Sequence, residues 1–210
     1  MKRQMTVLAL LACVFASGCG MAIVQNPDYQ GWANFQPESY ITFEGTETMT
    51  TVMSGPLGEK GETITTVRNL RITEKMVSIT PNEVTLERTQ AEIMPNGDVV
   101  DMPGSTRVEK ADIFAADNPL TDPAAKHTTD DDLQPVVVGD RTFMCEMTDT
   151  TLDVRFPIID LLVNSGSFKA TRYIESDVPG GWVKARLEQT NHHSTRIVEG
   201  QIVDYSAIRE

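Results

Sequence analysis

Few residues of this chain combine the side-chain types and the spacing that catalysis or metal binding requires. His127 precedes the acidic run Asp130-Asp131-Asp132, whose oxygen atoms would suit Ca²⁺ or Mg²⁺, but the run lacks the glycine and distal glutamate of a calcium-binding loop. His192 and His193 are adjacent, so in an extended chain they point to opposite faces and do not easily bind one ion together. The sequence contains no Gly-x-Ser-x-Gly, His-Glu-x-x-His, phosphate-loop or Cys-x-x-Cys motif. We therefore predict that the chain is not an enzyme and has neither a metal site nor a cofactor.

The three cysteines have different contexts. Cys145 lies in residues 142–147, whose composition predicts a strand, and there it is expected to be a small buried hydrophobic residue. A nucleophilic Cys145 would need a neighbouring base, and all three histidines are distant from it in sequence. Cys13 and Cys19 both lie within the first twenty residues.

The first nineteen residues have the pattern of an export signal. Lys2 and Arg3 are followed by an apolar run at residues 7–16 and then by Ser-Gly-Cys at residues 17–19, which is typical of a secretory signal. Residues 16–19, Ala-Ser-Gly-Cys, resemble the lipobox of bacterial lipoproteins. This resemblance implies that a diacylglycerol is attached to Cys19 through a thioether, that the chain is cleaved before Cys19, and that the new amine is acylated. Two or more acyl chains would anchor the protein stably in a membrane.

Two other processing schemes are compatible with this region. Residues 10–13, Leu-Leu-Ala-Cys, also match a lipobox, but cleavage before Cys13 would leave an apolar core of about half the usual length. Residues 5–24 carry no charge and could span a bilayer uncleaved, although residues 17–20 interrupt the apolar run. Gly20, rather than aspartate, follows Cys19, which favours the outer membrane under the sorting rule of enteric-type bacteria. We therefore predict a signal peptide at residues 1–18 and a lipidated tether at residues 19–38.

The composition is acidic, with 18 Lys+Arg against 30 Asp+Glu and a net charge of −12. Because Lys2 and Arg3 are the only charged residues among residues 1–18, removing that segment changes the net charge from −12 to −14. A negative surface disfavours nucleic acid and anionic lipid head groups as partners. The length predicts one domain, at residues 39–210, which would face the periplasm or the exterior.

From Tyr40 onward the sequence is rich in threonine, β-branched and aromatic residues, and turn signals separate its apolar runs. Asn96-Gly97 is the strongest hairpin signal, since both residues accept positive φ angles, and Gly45 is a candidate bulge. We therefore predict a mainly β fold: an antiparallel meander that forms a curved sheet or an open half-barrel, with the option of one short helix. The predicted strands are residues 40–53, 63–72, 76–79, 84–88, 107–114, 136–138, 141–147, 167–174, 182–188 and 197–205, with residues 158–163 either a strand or a helix.

Residues 115–134 differ from the rest of the domain. They are rich in acidic residues and proline and have almost no large apolar side chain. Because such a segment buries too little surface to offset its ordering entropy, we predict a mobile loop here.

Residues 173–184, YIESDVPGGWVK, resemble the Val-Pro-Gly-Gly hairpin of a family of uncharacterised bacterial envelope lipoproteins. Residues 35–40 resemble the aromatic start of that family, and Cys145 matches a strand cysteine in it. The predicted strand layout is more remotely similar to lipoprotein-carrier half-barrels, which hold acyl chains in a concave sheet. A Gly-Gly pair in such a turn usually allows the backbone to adopt positive φ angles. The other interpretation is that the backbone amides of the turn bind an anion.

These resemblances imply a membrane-anchored envelope lipoprotein that holds an apolar ligand or an acyl chain in its curved sheet. We expect Trp182, Phe143 and Tyr40 to line the binding surface, because large flat side chains give contact area at low entropic cost. The alternative is a structural or interaction module of the envelope, without a small-molecule ligand, that binds another envelope protein through a sheet edge.

Overall fold

A computed structural model describes residues 22–54, 60–156 and 164–209 of the chain. Antiparallel strands predominate in these residues, and the predicted mainly β fold with one short helix is confirmed. Helix α1 is Pro27–Gln30, and a 3-10 helix occupies Ala115–Asp117. The strands are β1 (Ile23–Gln25), β2 (Tyr40–Ser54), β3 (Lys60–Ile79), β4 (Glu83–Ile93), β5 (Val99–Lys110), β6 (Asp112–Phe114), β7 (Lys126–Thr129), β8 (Gln134–Val138), β9 (Arg141–Phe156), β10 (Asn164–Ile174), β11 (Trp182–Thr190) and β12 (Ser194–Ser206).

The principal sheet consists of two antiparallel meanders that share one joint. Strands β2 to β5 are consecutive neighbours, and so are β9 to β12. The two halves join where β2 pairs with β12, so the last strand closes the sheet against the first long one. Strand β5 forms one edge, and at the other edge β7 and β8 both pair with β9. The predicted meander is therefore present within each half and interrupted at the joint.

Two glycines face each other in this central joint. Gly45 pairs directly with Gly200, and a Cβ on Gly45 would lie only 2.2 Å from the carbonyl oxygen of Glu199. The strands thus approach more closely here than a side chain would allow. The predicted bulge at Gly45 is wrong, because the register is continuous there and the irregularity of this pair lies between Ile202 and Asp204.

The hydrophobic core lies at one end of the sheet, together with α1 and the turn that follows it. Trp32 is 1% exposed, and Tyr29 and Phe35 are buried in the same cluster. The hydroxyl of Tyr29 donates to the carbonyl oxygen of Thr80 (2.8 Å), which fixes the helix to the turn between β3 and β4. The strands contribute Ile41, Met76, Val84, Leu86, Val136, Cys145, Val183 and Ile202.

The predicted tether at residues 19–38 is wrong from residue 23 onward, because these residues belong to the folded domain. Strand β1 pairs with β6, and the backbone N–H of Asn26 donates to the carbonyl oxygen of Ala111 (2.8 Å). The Asn26 side chain caps α1 by accepting from the N–H of Asp28 (3.0 Å), and Pro27 takes the first helical position. The short helix then brings Trp32 into the core.

Residues 115–134 contain more regular structure than their composition predicts. Strand β7 pairs with β9, with His127 opposite Thr150. The side chains of Asn118 and Asp122 accept backbone N–H groups and close polar turns. Ladder hydrogen bonds and such turns need no apolar side chain. The prediction of a loop is therefore wrong at β7, whereas the mobility of the segment stays a prediction.

The predicted hairpins at Asn96-Gly97 and at the Val-Pro-Gly-Gly sequence are confirmed, and another hairpin turns at Gly139-Asp140. The glycines Gly97, Gly139, Gly180 and Gly181 of these turns have positive φ angles. The separate strands predicted at residues 63–72 and 76–79 form one strand, β3. Cys13, Cys19, residues 55–58 and the apolar run at residues 158–163 lie outside the described residues. In the described ranges no helix has the length and apolar character needed to cross a membrane.

Candidate functional site

A cleft lies between the turn after α1 and the hairpin that connects β10 to β11. Two glycine backbones meet at its base: the N–H of Gly180 donates to the carbonyl oxygen of Gly31 (2.8 Å), and a Cβ on Gly31 would lie 2.5 Å from the carbonyl oxygen of Gly180. Gly180 and Gly181 have φ angles of +78° and +80°, which favour glycine. The Val-Pro-Gly-Gly hairpin therefore packs its backbone against the turn after α1 and forms one wall of the cleft.

The cleft has a volume of about 300 Å³ and largely apolar walls. Phe35 and Pro27 line it from the helix side, and Ile174 and Trp182 line it from the sheet. The ring of Trp182 packs on that of Phe43, with centroids 4.7 Å apart and planes inclined by 36°, which restricts its orientation. The polar side chains in the lining are Gln30, Asn34, Arg172 and Ser176. Apolar walls with a few convergent polar groups are typical of small-molecule sites.

Arg172 brings a positive charge into this cleft. Its Nε atom is buried without a hydrogen bond, and the guanidinium forms no ion pair with any residue in the described part of the chain. Burial lowers the pKa of Arg172, and the carboxylate of Asp28 opposes that shift without reaching ion-pair distance. Because arginine remains protonated at all ordinary pH values, the cleft contains a charged group with unused hydrogen-bond donors.

Arg209 joins the two sides of the cleft. Its guanidinium lies 4.9 Å from the ring centroid of Phe35 and donates to the carbonyl oxygen of Ser176 (2.9 Å). It also forms an ion pair with Asp177 (2.8 Å). The backbone N–H of Gln36 donates to the carbonyl oxygen of the preceding Ile208 (2.9 Å). Arg209 is therefore held in place and its charge is paired, unlike that of Arg172.

The structure separates the three residues that were predicted to line one binding surface. Trp182 lines the cleft described above, whereas Phe143 lines a second cavity of about 220 Å³ together with Tyr205 and Asp204. Tyr40 lies outside both linings and donates its hydroxyl to Asp204 (2.9 Å). This hydrogen bond to a carboxylate raises the pKa of Tyr40. Phe143 and Tyr40 thus share Asp204 as a neighbour, whereas Trp182 lines a different cavity.

Cys145 and His127, which were considered for catalysis or metal binding, both contact other residues of the fold. Cys145 is fully buried in the core, as predicted, and burial raises the pKa of its thiol to about 11, so the thiol stays protonated at neutral pH. His127 Nδ1 lies 3.1 Å from the hydroxyl of Thr150. Across residues 22–54, 60–156 and 164–209, no three His, Cys, Asp or Glu side chains are close enough together to hold a metal ion.

Two buried glutamates lie on the face of the sheet that carries the core. Glu74 pairs directly with Ile41, and Glu47 follows Ile41 at an even spacing on β2, so all three share one face. Glu47 accepts hydrogen bonds from Arg196 (2.7 Å) and Arg68. Burial alone would raise the pKa of Glu47, but these two bonds outweigh burial and lower it.

Glu74 shows the opposite balance. It accepts from Arg107 (3.2 Å) and lies 3.8 Å from Arg88, yet burial outweighs both arginines and raises the pKa of Glu74. The side chains of Glu47 and Glu74 are only 4% and 7% exposed. Away from the cleft, this face of the sheet therefore carries paired charges among its apolar residues.

Sequence reasoning did not single out Arg172, although a signal for it exists. Ala170, Arg172 and Ile174 alternate along β10, and the first and last of these positions suit an inward-facing side chain. An arginine at the middle position of such a row predicts a buried charge. The contribution of the turn after α1 does not follow from such an alternation, because Asn34 and Phe35 reach the cleft only through the tertiary fold.

No protein-family model matches the chain, and no similar curated protein or solved structure was found. The resemblance of the Val-Pro-Gly-Gly hairpin to envelope lipoproteins thus stays an expectation from sequence.

Proposed function

We propose that the chain is a membrane-anchored lipoprotein of the bacterial cell envelope whose β domain binds a small, largely apolar ligand in the cleft between α1 and the β10–β11 hairpin. The cleft itself supports the ligand-binding part: two aromatic side chains, Phe35 and Trp182, line a cavity of about 300 Å³. The anchor rests on the sequence around Cys19, which also favours the outer membrane.

The surroundings of the cleft restrict the ligand. Its volume is at the lower end of the range of roughly 300–1,000 Å³ that is usual for small-molecule sites. An acyl chain laid further along the same face of the sheet would displace water from Glu47, Glu74 and their arginines, which is costly for charged groups. A small molecule, or the end of an acyl chain, therefore fits better than a whole lipid.

Ligand binding is tested on a chain that begins at residue 20, which retains every described residue. Native mass spectrometry should reveal a co-purified adduct, and tryptophan fluorescence should change saturably when a fatty acid is added. Trp182→Ala should weaken binding by about 1–3 kcal/mol, because a large contact surface is lost. Phe143→Leu, in the second cavity, is the matched control and should leave the affinity unchanged. Absence of both an adduct and saturable binding would refute the ligand-binding proposal.

The anchor is tested by the intact mass of the protein extracted from membranes. The mass should show the loss of residues 1–18 and the addition of acyl chains at Cys19. Cys19→Ser should abolish this processing. An unmodified chain that still begins at Met1 would contradict the proposed anchor.

The alternative function is an interaction module, and one feature of β3 favours it. Strand β4 pairs with β3 only from Asn69 onward. Residues 60–68 of β3 therefore have one backbone edge that is not paired with any strand in the described part of the chain. Val67 is 61% exposed there and Ile64 is 41% exposed. Unpaired edges bind other chains by adding a strand. This function predicts that envelope extract, rather than a small molecule, protects the backbone amides of residues 61–68 from hydrogen exchange.

A further inference from the structure

We infer that the ligand of the cleft is an amphipathic anion, whose acidic group pairs with Arg172 while its apolar part lies between Phe35 and Trp182. This inference rests on the proposed ligand-binding function and adds the chemical class of the ligand. It excludes a neutral hydrocarbon or alcohol as the preferred occupant.

The first support is the state of Arg172. Withdrawing a charge from water is costly unless the charge is paired and hydrogen-bonded. Arg172 is half-buried, and within the described part of the chain it has neither an ion pair nor a hydrogen bond at its fully buried Nε. The other arginines on the same face are paired, as Arg68 and Arg196 are with Glu47. On this face a carboxylate therefore pairs with Arg68 and Arg196, whereas no carboxylate in the described part of the chain pairs with Arg172.

The second support is the composition of the walls next to Arg172. Asp28 acts on Arg172 without reaching it, and Arg209, which contacts the lining residues Phe35 and Ser176, is already paired with Asp177. No acidic side chain lines the cleft among the described residues. Asn34 and Ser176 add uncharged polar groups that can accompany a bound acid. An anion would thus meet an unpaired cation and no repelling carboxylate in the lining.

The planar fork of a guanidinium fits both carboxylates and phosphates. The shared chemistry is an acidic oxygen pair attached to an apolar body, so the ligand is either a carboxylic acid or a phosphate monoester. Octanoate, octyl phosphate and 1-octanol have the same apolar body and differ in the head group, which makes them suitable probes.

The test is isothermal titration of these three compounds into the chain that begins at residue 20. At least one of the two acids should bind about tenfold to a hundredfold more tightly than 1-octanol, as expected for hydrogen bonds to a charged group. The order of octanoate and octyl phosphate identifies the acidic group. Arg172→Gln should remove the preference, so that the variant binds the acids no more tightly than 1-octanol. Arg172→Lys should recover only part of the preference, because an ammonium lacks the bidentate fork.

Arg186→Gln is the matched control. Arg186 is exposed on the opposite face of the neighbouring strand β11, where it pairs with Glu199, so its removal changes the net charge equally without touching the cleft. Equal affinity of the wild-type chain for all three compounds would overturn the inference and leave the ligand-binding proposal intact. If none of them binds, the inference falls, and the ligand-binding proposal falls with it when no adduct co-purifies either. The comparison among the wild-type titrations remains decisive even if Arg172→Gln does not fold.

Discussion

Strands β2 and β3 run through two different environments along their length. In their inner half, residues 40–45 and 70–79, Ile41 and Met76 are fully buried in the core with α1. In their outer half, residues 46–53 and 61–69, Glu47 is the single buried side chain of the described residues, and Met49, Val52 and Val67 are exposed. The backbone pairing is nevertheless continuous from Tyr40 to Val52.

The difference shows that strand formation and stability have separate origins in this domain. Both halves are rich in β-branched residues, which suffices to continue the ladder beyond the core. The outer half is held by cross-strand contacts such as Thr50 with Thr65 (3.3 Å) and by the two arginines on Glu47. The inner half is buried because a segment from outside the sheet, residues 26–39, packs against it. Stability should therefore depend on that segment far more than on strand length.

Trp32→Ala tests this dependence and should have the largest effect. Trp32 is 1% exposed, and a Cβ on Gly180 would lie 3.6 Å from its ring, so truncation would leave a cavity between α1 and the hairpin. The free energy of unfolding should fall by about 3–5 kcal/mol, measured by urea denaturation. A loss below about 1 kcal/mol would mean that the segment does not unfold together with the sheet.

The two buried glutamates should respond to pH in opposite directions. Glu47 has a lowered pKa when folded, so it stabilises the protein above its ordinary value of 4.5, and this contribution disappears as the pH falls through the lowered pKa. At neutral pH the free energy of unfolding of Glu47→Gln should thus be about 1 kcal/mol below that of the wild type, since the arginines that pair with Glu47 are solvent-accessible. This difference should vanish in acid.

Glu74 has a raised pKa when folded, so the stability of the wild-type protein decreases as the pH rises from 4.5 through that pKa. Relative to the wild type, the stability of Glu74→Gln should therefore increase with rising pH, while the stability of Glu47→Gln should decrease. Urea midpoints of the three proteins between pH 3 and about pH 7 measure this. Parallel pH profiles of the two variants would show that both glutamates sit in equivalent surroundings.

The regular part of the fold was predictable from local pattern, because it depends on turn chemistry. Asn96-Gly97 and the Val-Pro-Gly-Gly hairpin indicated tight turns through their tolerance of positive φ, and both turns occur. The strand at residues 197–205 was also predicted, but without its pairing to β2. The pairing of Gly45 with Gly200 connects residues far apart in sequence, and a lone glycine in a strand pattern indicates a bulge equally well.

The candidate site was less predictable, because its residues come from three separate segments. Trp182 was selected for its size, and it does line the cleft. Phe143 was selected for the same reason and lines the second cavity, since aromatic content alone does not specify which side chains meet. Residues 19–38 were assigned to a tether because Asn26-Pro27 and Gln36-Pro37 indicate extended or turn backbone, although one helical turn that packs Trp32 and Phe35 against the sheet was also compatible with the sequence.

Val67→Thr in the outer half should have the smallest effect and thereby complete the contrast with Trp32. Val67 is 61% exposed on the ribbon formed by β2 and β3, and threonine keeps both the shape and the β-branched backbone preference. Its free energy of unfolding should change by less than about 0.5 kcal/mol, because no packed contact is removed. Urea denaturation at several protein concentrations measures this and also detects association. If the loss exceeds about 1 kcal/mol and grows with protein concentration, the outer half is covered by a second chain, and β3 is an interface rather than a free strand.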